Sequence, residues 1–188
     1  LVLPELLSEL ELHLANAKAV GVAGFLVPAV QSSAWLPLLE LKQRYGFYIA
    51  LGVHPWWASQ LQFDALQGLE ALAALPEVNA IGEIGLDFFV PALCEPAMRE
   101  RQWRFYTAQL MLAQKHQLPV ILHVRRSADL LLKGLRQCPV VSGIAHAFNG
   151  SAQQAQLFVD MGFALGFGGA LTYDRALQLR RLATELPL

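Results

Sequence analysis

The sequence predicts an α/β fold in which parallel strands alternate with helices, and two observations lead to it. Charged residues make up 15% of the chain and apolar residues 55%. Because globular domains usually carry about 25% charged residues, most segments here must be shielded on both faces, as in a parallel sheet covered by helices. Short apolar runs also alternate with longer segments whose apolar residues recur near a 3.6-residue spacing, which is typical of βα units.

Six apolar runs are predicted to be buried strands. In chain order they are 24–29, 47–53, 78–83, 119–123, 141–146 and 163–168. Helices are predicted at 35–45, 63–75, 96–116, 128–136, 151–161 and 173–186, with a further helix before the first strand. Ser151 is expected to cap the N-terminus of its helix, and Gly162 to end that helix, because these residue types favour those positions.

A parallel sheet of this kind closes in one of two ways, as an open doubly wound sheet or as an eight-stranded barrel. A Rossmann sheet is expected to carry a G-x-G-x-x-G turn after its first strand, and none follows 27–29. Polar residues at the ends of four separate strands favour a barrel, whose active site lies at the carboxyl ends of its strands. We therefore expect residues 1–188 to form one barrel domain with about six βα units, truncated at both ends.

Composition excludes some functions and leaves others open. The net charge is −1 and the isoelectric point about 6.6, so a nucleic-acid role would need a local basic patch. No apolar run approaches the roughly 18 residues that cross a bilayer. The two cysteines, Cys94 and Cys138, form no CxxC pair, which fits a reducing compartment. We expect a cytoplasmic protein, with a monomer favoured.

Glu83 is the first candidate for chemistry, since it lies in the otherwise apolar run from Ala80 to Asp87 with a glycine on each side. A buried carboxylate must be paired, protonated or bound to a cation. A structural salt bridge is the alternative. Flanking glycines favour a site where another group approaches the backbone closely.

Histidines end three of the predicted strands. His123 and His146 together with Glu83 form a set of two histidines and one carboxylate, a recurrent metal-binding combination. His54 is a further candidate at the same edge, or a loop histidine bonded to backbone. Mixed nitrogen and oxygen ligands suit Zn²⁺, Mn²⁺ or Mg²⁺. A metal ion with an open coordination position activates water, so the pattern predicts hydrolysis.

Two further features bear on substrate and on competing mechanisms. Arg125 follows His123 closely, and its guanidinium would bind a phosphate or carboxylate, unless it is simply solvated. Trp56 and Trp57 follow His54 on an expected loop and would either stack on a base or, as is commoner, pack under the loop. A hydroxyl or thiol nucleophile is disfavoured because the chain has no G-x-S-x-G motif.

Four sequence blocks, 52–55 (GVHP), 82–87 (GEIGLD), 118–125 (LPVILHVR) and 146–151 (HAFNGS), resemble the TatD-type metal-dependent hydrolases, most of all their YjjV-like branch. The resemblance implies a TIM barrel of the amidohydrolase-like type and members that act as deoxyribonucleases. It also implies that Glu83 bridges two divalent ions (Mg, Mn or Zn) and that His123 and His146 complete the shell of one. The H-x-H pair and late aspartate expected of this family are not among residues 1–188, so at most one ion is expected to be well held.

The resulting functional prediction is a divalent-metal-dependent hydrolase that cleaves phosphodiester bonds of DNA with metal-activated water. Glu83 is the expected catalytic residue, and His54 and Arg125 are expected to bind substrate. Two alternatives stay open: a metallohydrolase of a small ester, lactone or amide, and an inactive fragment of the family. Val124, Ala147 and Asn149 depart from the common family pattern, which affects substrate detail more than metal binding.

Overall fold

The computed structural model describes residues 7–186. Its strands are β1 (Leu26–Pro28), β2 (Tyr48–Leu51), β3 (Ala80–Asp87), β4 (Val120–Arg125), β5 (Gly143–His146) and β6 (Phe163–Leu165). Its helices are α1 (Leu10–Ala19), α2 (Trp35–Tyr45), α3 (Pro55–Ala58), α4 (Leu66–Ala73), α5 (Pro96–His116), α6 (Ala128–Gln137), α7 (Ala152–Asp160) and α8 (Leu177–Glu185). The first six and last two residues of the predicted domain lie outside this part of the chain.

The six strands form one sheet in the order β1-β2-β3-β4-β5-β6, and every neighbouring pair is parallel. A doubly wound sheet reverses its strand order at a switch point, whereas this sheet winds in one direction throughout. Strand order therefore confirms the barrel-type α/β fold, present here as an arc of six strands. All six strand carboxyl ends lie at the same edge of the arc.

Helices cover one face of the sheet and small side chains line the other. Alternate strand residues such as Ile81, Val120 and Leu122 pack in the core that β3 and β4 share with α5 and α6. Ala50, Ala80 and Ile121 form a separate small cluster, and strand alternation places them on the opposite, inner face. No helix within residues 7–186 is long and apolar enough to cross a membrane.

The predicted helix ends are confirmed at α7. The Ser151 hydroxyl accepts the Gln154 backbone N–H, and the Gln154 side chain accepts the Ser151 backbone N–H, which is a complete capping box. Gly162 follows the helix with a φ of 78°, a left-handed conformation that favours glycine.

Two local predictions were wrong. The chain after His54 is the short helix α3 rather than a loop, because Pro55 occupies its first position and the His54 side chain caps it. The third strand runs to Asp87, four residues beyond its predicted end at Glu83. A β-bulge at Glu83 explains the difference, because it interrupts the pairing with β4 at one residue and lets the strand continue to Asp87.

Candidate metal centre

Glu83 lies in a β-bulge of β3. Gly82 pairs with Ile121 and Ile84 pairs with Leu122, so Glu83 has no partner on β4. A bulge redirects a side chain relative to the regular alternation of the strand. The backbone N–H of Glu83 donates instead to the carbonyl oxygen of Ala29, at 2.8 Å.

The glycines around Glu83 have a packing role. A Cβ on Gly82 would lie 2.7 Å from the Cβ of Ile121, and one on Gly85 would overlap the carbonyl oxygen of His123. Such distances are too short for any side chain, and the φ of 139° at Gly85 also favours glycine. The glycines thus permit the close approach of β3 to β4 that brings Glu83 to His123.

Three potential ligands meet at the carboxyl edge of the sheet. The Glu83 Oε1 lies 3.1 Å from the His123 Nδ1, and the His54 Nε2 lies 3.0 Å from the same nitrogen. One ligand atom from each of the three residues falls within 4.8 Å of the others. One carboxylate and two imidazoles are donor types that suit zinc or manganese, so a divalent ion would bind at this edge, and the tautomer of each imidazole decides whether it can be a ligand.

Asp87 fixes the orientation of the His123 ring. The His123 Nε2 lies 3.1 Å from Asp87 Oδ2, while Asp87 Oδ1 accepts the backbone N–H groups of Phe89 and Val90. A neutral ring that donates from Nε2 presents the Nδ1 lone pair to Glu83. Two acceptors 3.1 Å apart need a proton or a cation between them, and a histidine with its second nitrogen on a carboxylate is the usual arrangement of a metal ligand.

His54 is held differently. Its Nδ1 accepts the Trp56 backbone N–H at 3.1 Å, and since neutral imidazole carries one proton, that proton is on Nε2. Burial, and then the nearby His123, lower the pKa of His54 to about 4, so the ring is neutral at pH 7. A protonated Nε2 donates a hydrogen bond and does not ligate a metal ion. In this tautomer the His54 Nε2–H donates to the His123 Nδ1, 3.0 Å away.

Both carboxylates are stabilised in their charged form. Burial raises the pKa of Glu83, but the His123 ring 3.1 Å away and the neighbouring imidazoles outweigh this effect, so the pKa lies below its usual value. Burial likewise raises the pKa of Asp87, and the N–H of Phe89 with the His123 side chain more than reverses this. The centre is therefore anionic at neutral pH, as a cation site requires.

Two buried glutamines on α5 hold the strand exits in place. Gln109 accepts the N–H of Val53 at 2.7 Å and donates to its carbonyl at 3.2 Å. Gln102 accepts the N–H of Asp87 and donates to the carbonyl of Leu93, both at 2.8 Å. Sequence reasoning missed these residues. Their seven-residue spacing, which places both on one helix face, was the available signal.

The other predicted site residues lie at the same edge. His146 pairs in register with His123, so both side chains leave the same face of the sheet. His146 is exposed and stands outside the three-residue group, although its charge acts on the pKa of Glu83 and of His54. The Arg125 Nη1 lies 3.6 Å from Asp87 Oδ2, which places this guanidinium beside the centre.

Comparison with known proteins assigns the family. The profile of the TatD-related DNases matches residues 4–188. An uncharacterized metal-dependent hydrolase, YjjV of Escherichia coli (strain K12), is 39% identical over 95% of this chain and 69% of its own length. The 3′–5′ ssDNA/RNA exonuclease TatD of Rahnella sp. (strain Y9602) is 34% identical over 92% of this chain and 66% of its own length.

Comparison with a solved structure gives the same family as the sequence comparison. The crystal structure of YjjV, a TatD homologue from Escherichia coli K12, superposes with a TM-score of 0.89 at 36% identity, covering 98% of this chain and 71% of that one. The chain thus spans about two thirds of the length of these relatives. Fold, sequence and strand-end donor set agree, and the chain belongs to the TatD-related DNase family of metal-dependent hydrolases.

Proposed function

We propose that this protein hydrolyses phosphodiester bonds of single-stranded DNA or RNA with the help of divalent metal ions. The observation that carries the proposal is the pair of acceptors, Glu83 Oε1 and His123 Nδ1, held 3.1 Å apart at the carboxyl edge of the sheet. Arg125 stands beside this pair and suits a phosphate. The relatives named as 3′–5′ ssDNA/RNA exonucleases support the choice of substrate.

We assign the metal ligands as Glu83, His123 and His146. His146 leaves the sheet on the same face as His123, and its side chain is exposed rather than packed in the core. These three ligands would hold one ion, and the second carboxylate oxygen of Glu83 is the atom that a second ion would share in the parent protein. When bound, divalent ions lower the pKa of water and neutralise charge on a phosphoryl oxygen.

Two residues of this chain would hold the substrate. With the His123 Nδ1 engaged as a metal ligand, the Nε2–H of His54 would be free to donate to a phosphoryl oxygen, because its Nδ1 is already occupied by the Trp56 N–H. The Arg125 guanidinium would bind a second phosphate oxygen, since a planar guanidinium matches phosphate geometry. We also propose a cytoplasmic location, in keeping with two free thiols at Cys94 and Cys138.

The test is release of nucleotides from a single-stranded DNA oligonucleotide, measured with Mg²⁺, Mn²⁺ or Zn²⁺ and after chelation. We expect turnover that depends on the metal and falls as salt rises, because phosphate contacts weaken with ionic strength. A p-nitrophenyl ester, measured in parallel, represents the small-substrate alternative. Efficient cleavage of the ester without any release of nucleotides would overturn the proposal.

A further inference from the structure

A polar cavity of about 340 Å³ lies next to the metal centre, lined among others by Phe88, Arg99, Arg126, Asn149 and Gln154. We propose that this cavity binds the phosphate of a nucleotide that neighbours the scissile bond in a single-stranded nucleic acid. We call it the arginine–phenylalanine subsite, defined by Arg99, Arg126, Phe88 and Phe89. The inference rests on the proposed function and extends it to residues outside the metal centre.

The position of the subsite follows from the strand order. Phe88 directly follows β3, Arg126 directly follows β4, and Asn149 lies three residues after β5. These are the same strands whose carboxyl ends present Glu83, His123 and His146. The Phe88 N–H donates to the Arg125 carbonyl at 2.9 Å, which joins the two strand exits. A polymer bound at the metal centre would therefore pass over this cavity.

Two guanidinium groups in the cavity have unused hydrogen-bond donors. Within residues 7–186, neither Arg99 nor Arg126 donates a side-chain hydrogen bond or forms an ion pair with another residue. The carboxylate of Asp129 also lines the cavity, but its Oδ1 accepts the Gln154 amide at 2.8 Å. Two arginines against one carboxylate leave the cavity with a net positive charge, which favours an anionic ligand.

Phenylalanine rings hold these arginines in place. The guanidinium carbon of Arg99 lies 4.1 Å from the centre of the Phe88 ring, and that of Arg126 lies 4.8 Å from the Phe89 ring. Stacking uses the flat face of a guanidinium and leaves its in-plane N–H groups free for a phosphate. Because the side chains are already ordered, less entropy is lost when a ligand binds.

Arg125 links the subsite to the metal centre. Its guanidinium carbon lies 4.0 Å from the centre of the Phe89 ring, and its Nη1 lies 3.6 Å from Asp87 Oδ2. Phe89 itself is 47% exposed. The row of guanidinium groups from Arg125 to Arg126 and Arg99 suits successive phosphates, and an exposed ring among them offers apolar contact to a base. A single-stranded polymer matches this arrangement better than an isolated small anion.

The experiment compares an Arg99→Gln/Arg126→Gln double variant with the wild type and with Arg136→Gln, a matched control at an exposed position on α6. Fluorescence anisotropy measures binding of a labelled single-stranded DNA 12-mer across a series of salt concentrations. Hydrolysis of bis(p-nitrophenyl) phosphate, which has no neighbouring nucleotide, is measured in parallel. An Arg99→Lys/Arg126→Lys variant keeps the charge but loses the planar stacking group.

We expect the double glutamine variant to bind the oligonucleotide about tenfold more weakly, because charge-assisted hydrogen bonds are lost. The slope of log K for binding against log salt concentration should become shallower by about 0.7 for each phosphate contact removed. The lysine variant should be intermediate, and hydrolysis of the small phosphodiester should not change. Circular dichroism identifies a variant that has failed to fold, in which case the lysine variant decides the question.

Each contrary outcome has a distinct meaning. Equal binding of the oligonucleotide by the glutamine variant, the control and the wild type would overturn the subsite and leave the proposed function intact. Lack of phosphodiester hydrolysis by the wild type, with binding still weakened in the glutamine variant, would overturn the proposed function and keep the subsite. No binding of the oligonucleotide by the wild type would overturn both.

Discussion

The metal centre and the arginine–phenylalanine subsite adjoin each other but are built in opposite ways. Glu83 and Asp87 are 8% and 2% exposed, the His123 ring lies 3.1 Å from an oxygen of each carboxylate, and the Phe89 backbone N–H donates to Asp87. Arg99 and Arg126 are exposed and are ordered only by packing on phenylalanine rings. A buried, hydrogen-bonded centre suits a step that needs fixed geometry, whereas an exposed subsite suits binding of a polymer of variable sequence.

Glu83→Gln should lower activity the most, because it removes the carboxylate that two imidazoles face. We expect a loss of hydrolysis well above the roughly 10- to 100-fold that follows from losing a residue that merely orients a ligand. Turnover of single-stranded DNA and metal content after dialysis measure the effect. Glu40→Gln, at an exposed position on α2, is the control. Normal activity of Glu83→Gln at normal metal content would contradict its role.

Asp87→Asn should have the next largest effect. An asparagine can keep an oxygen that accepts the N–H groups of Phe89 and Val90. Its amide NH₂ then faces the Nε2–H of His123, so two donors oppose each other. The ring would move its proton to Nδ1 and lose the lone pair that faces Glu83. We expect divalent-ion affinity to fall about 10- to 100-fold.

Equilibrium dialysis checks this affinity, and nitrogen NMR of the histidine ring checks the tautomer. The control is Asp64→Asn, since Asp64 is exposed and makes no contact with the residues of the metal centre. An unchanged tautomer with unchanged ion binding would show that Asp87 does not orient His123.

Gln109→Leu should affect stability more than chemistry. Gln109 is fully buried and satisfies both the N–H and the carbonyl of Val53, and a buried backbone group left without a partner costs about 1–3 kcal/mol. We expect a loss of that size in urea unfolding and less than about a tenfold loss of activity. Gln67→Leu, exposed on α4, should be nearly neutral. Equal stability of the two variants would refute the supporting role of Gln109.

Arg125→Gln should have the smallest effect. Its side chain is 47% exposed and its Nη1 lies 3.6 Å from Asp87 Oδ2, so it contributes to binding through one partly screened contact. We expect KM for single-stranded DNA to rise about threefold to tenfold with little change in kcat, and the salt slope to fall by about 0.7. A large fall in kcat instead would place Arg125 in the chemical step.

Local patterns predicted the elements, and long-range contacts determined the details of the site. Apolar runs located all six strands, and Ser151 and Gly162 bounded α7 as expected, because these features depend on nearby residues. The bulge at Glu83 depends on how β3 pairs with β4, and the role of Gln109 depends on Val53, 56 residues away in sequence. Sequence reasoning placed His54 at the right edge, but its donor role depends on the cap that it forms on α3.

We propose that Glu83, His123 and His146 hold the metal ion while His54 donates to the substrate. Equilibrium dialysis with Mn²⁺ or Zn²⁺ at pH 7, applied to His146→Asn and His54→Asn, separates these two roles. We predict that His146→Asn loses more than about tenfold in ion affinity, and that His54→Asn binds the ion like the wild type but hydrolyses DNA more slowly. Loss of the ion from His54→Asn with full retention in His146→Asn would contradict the account.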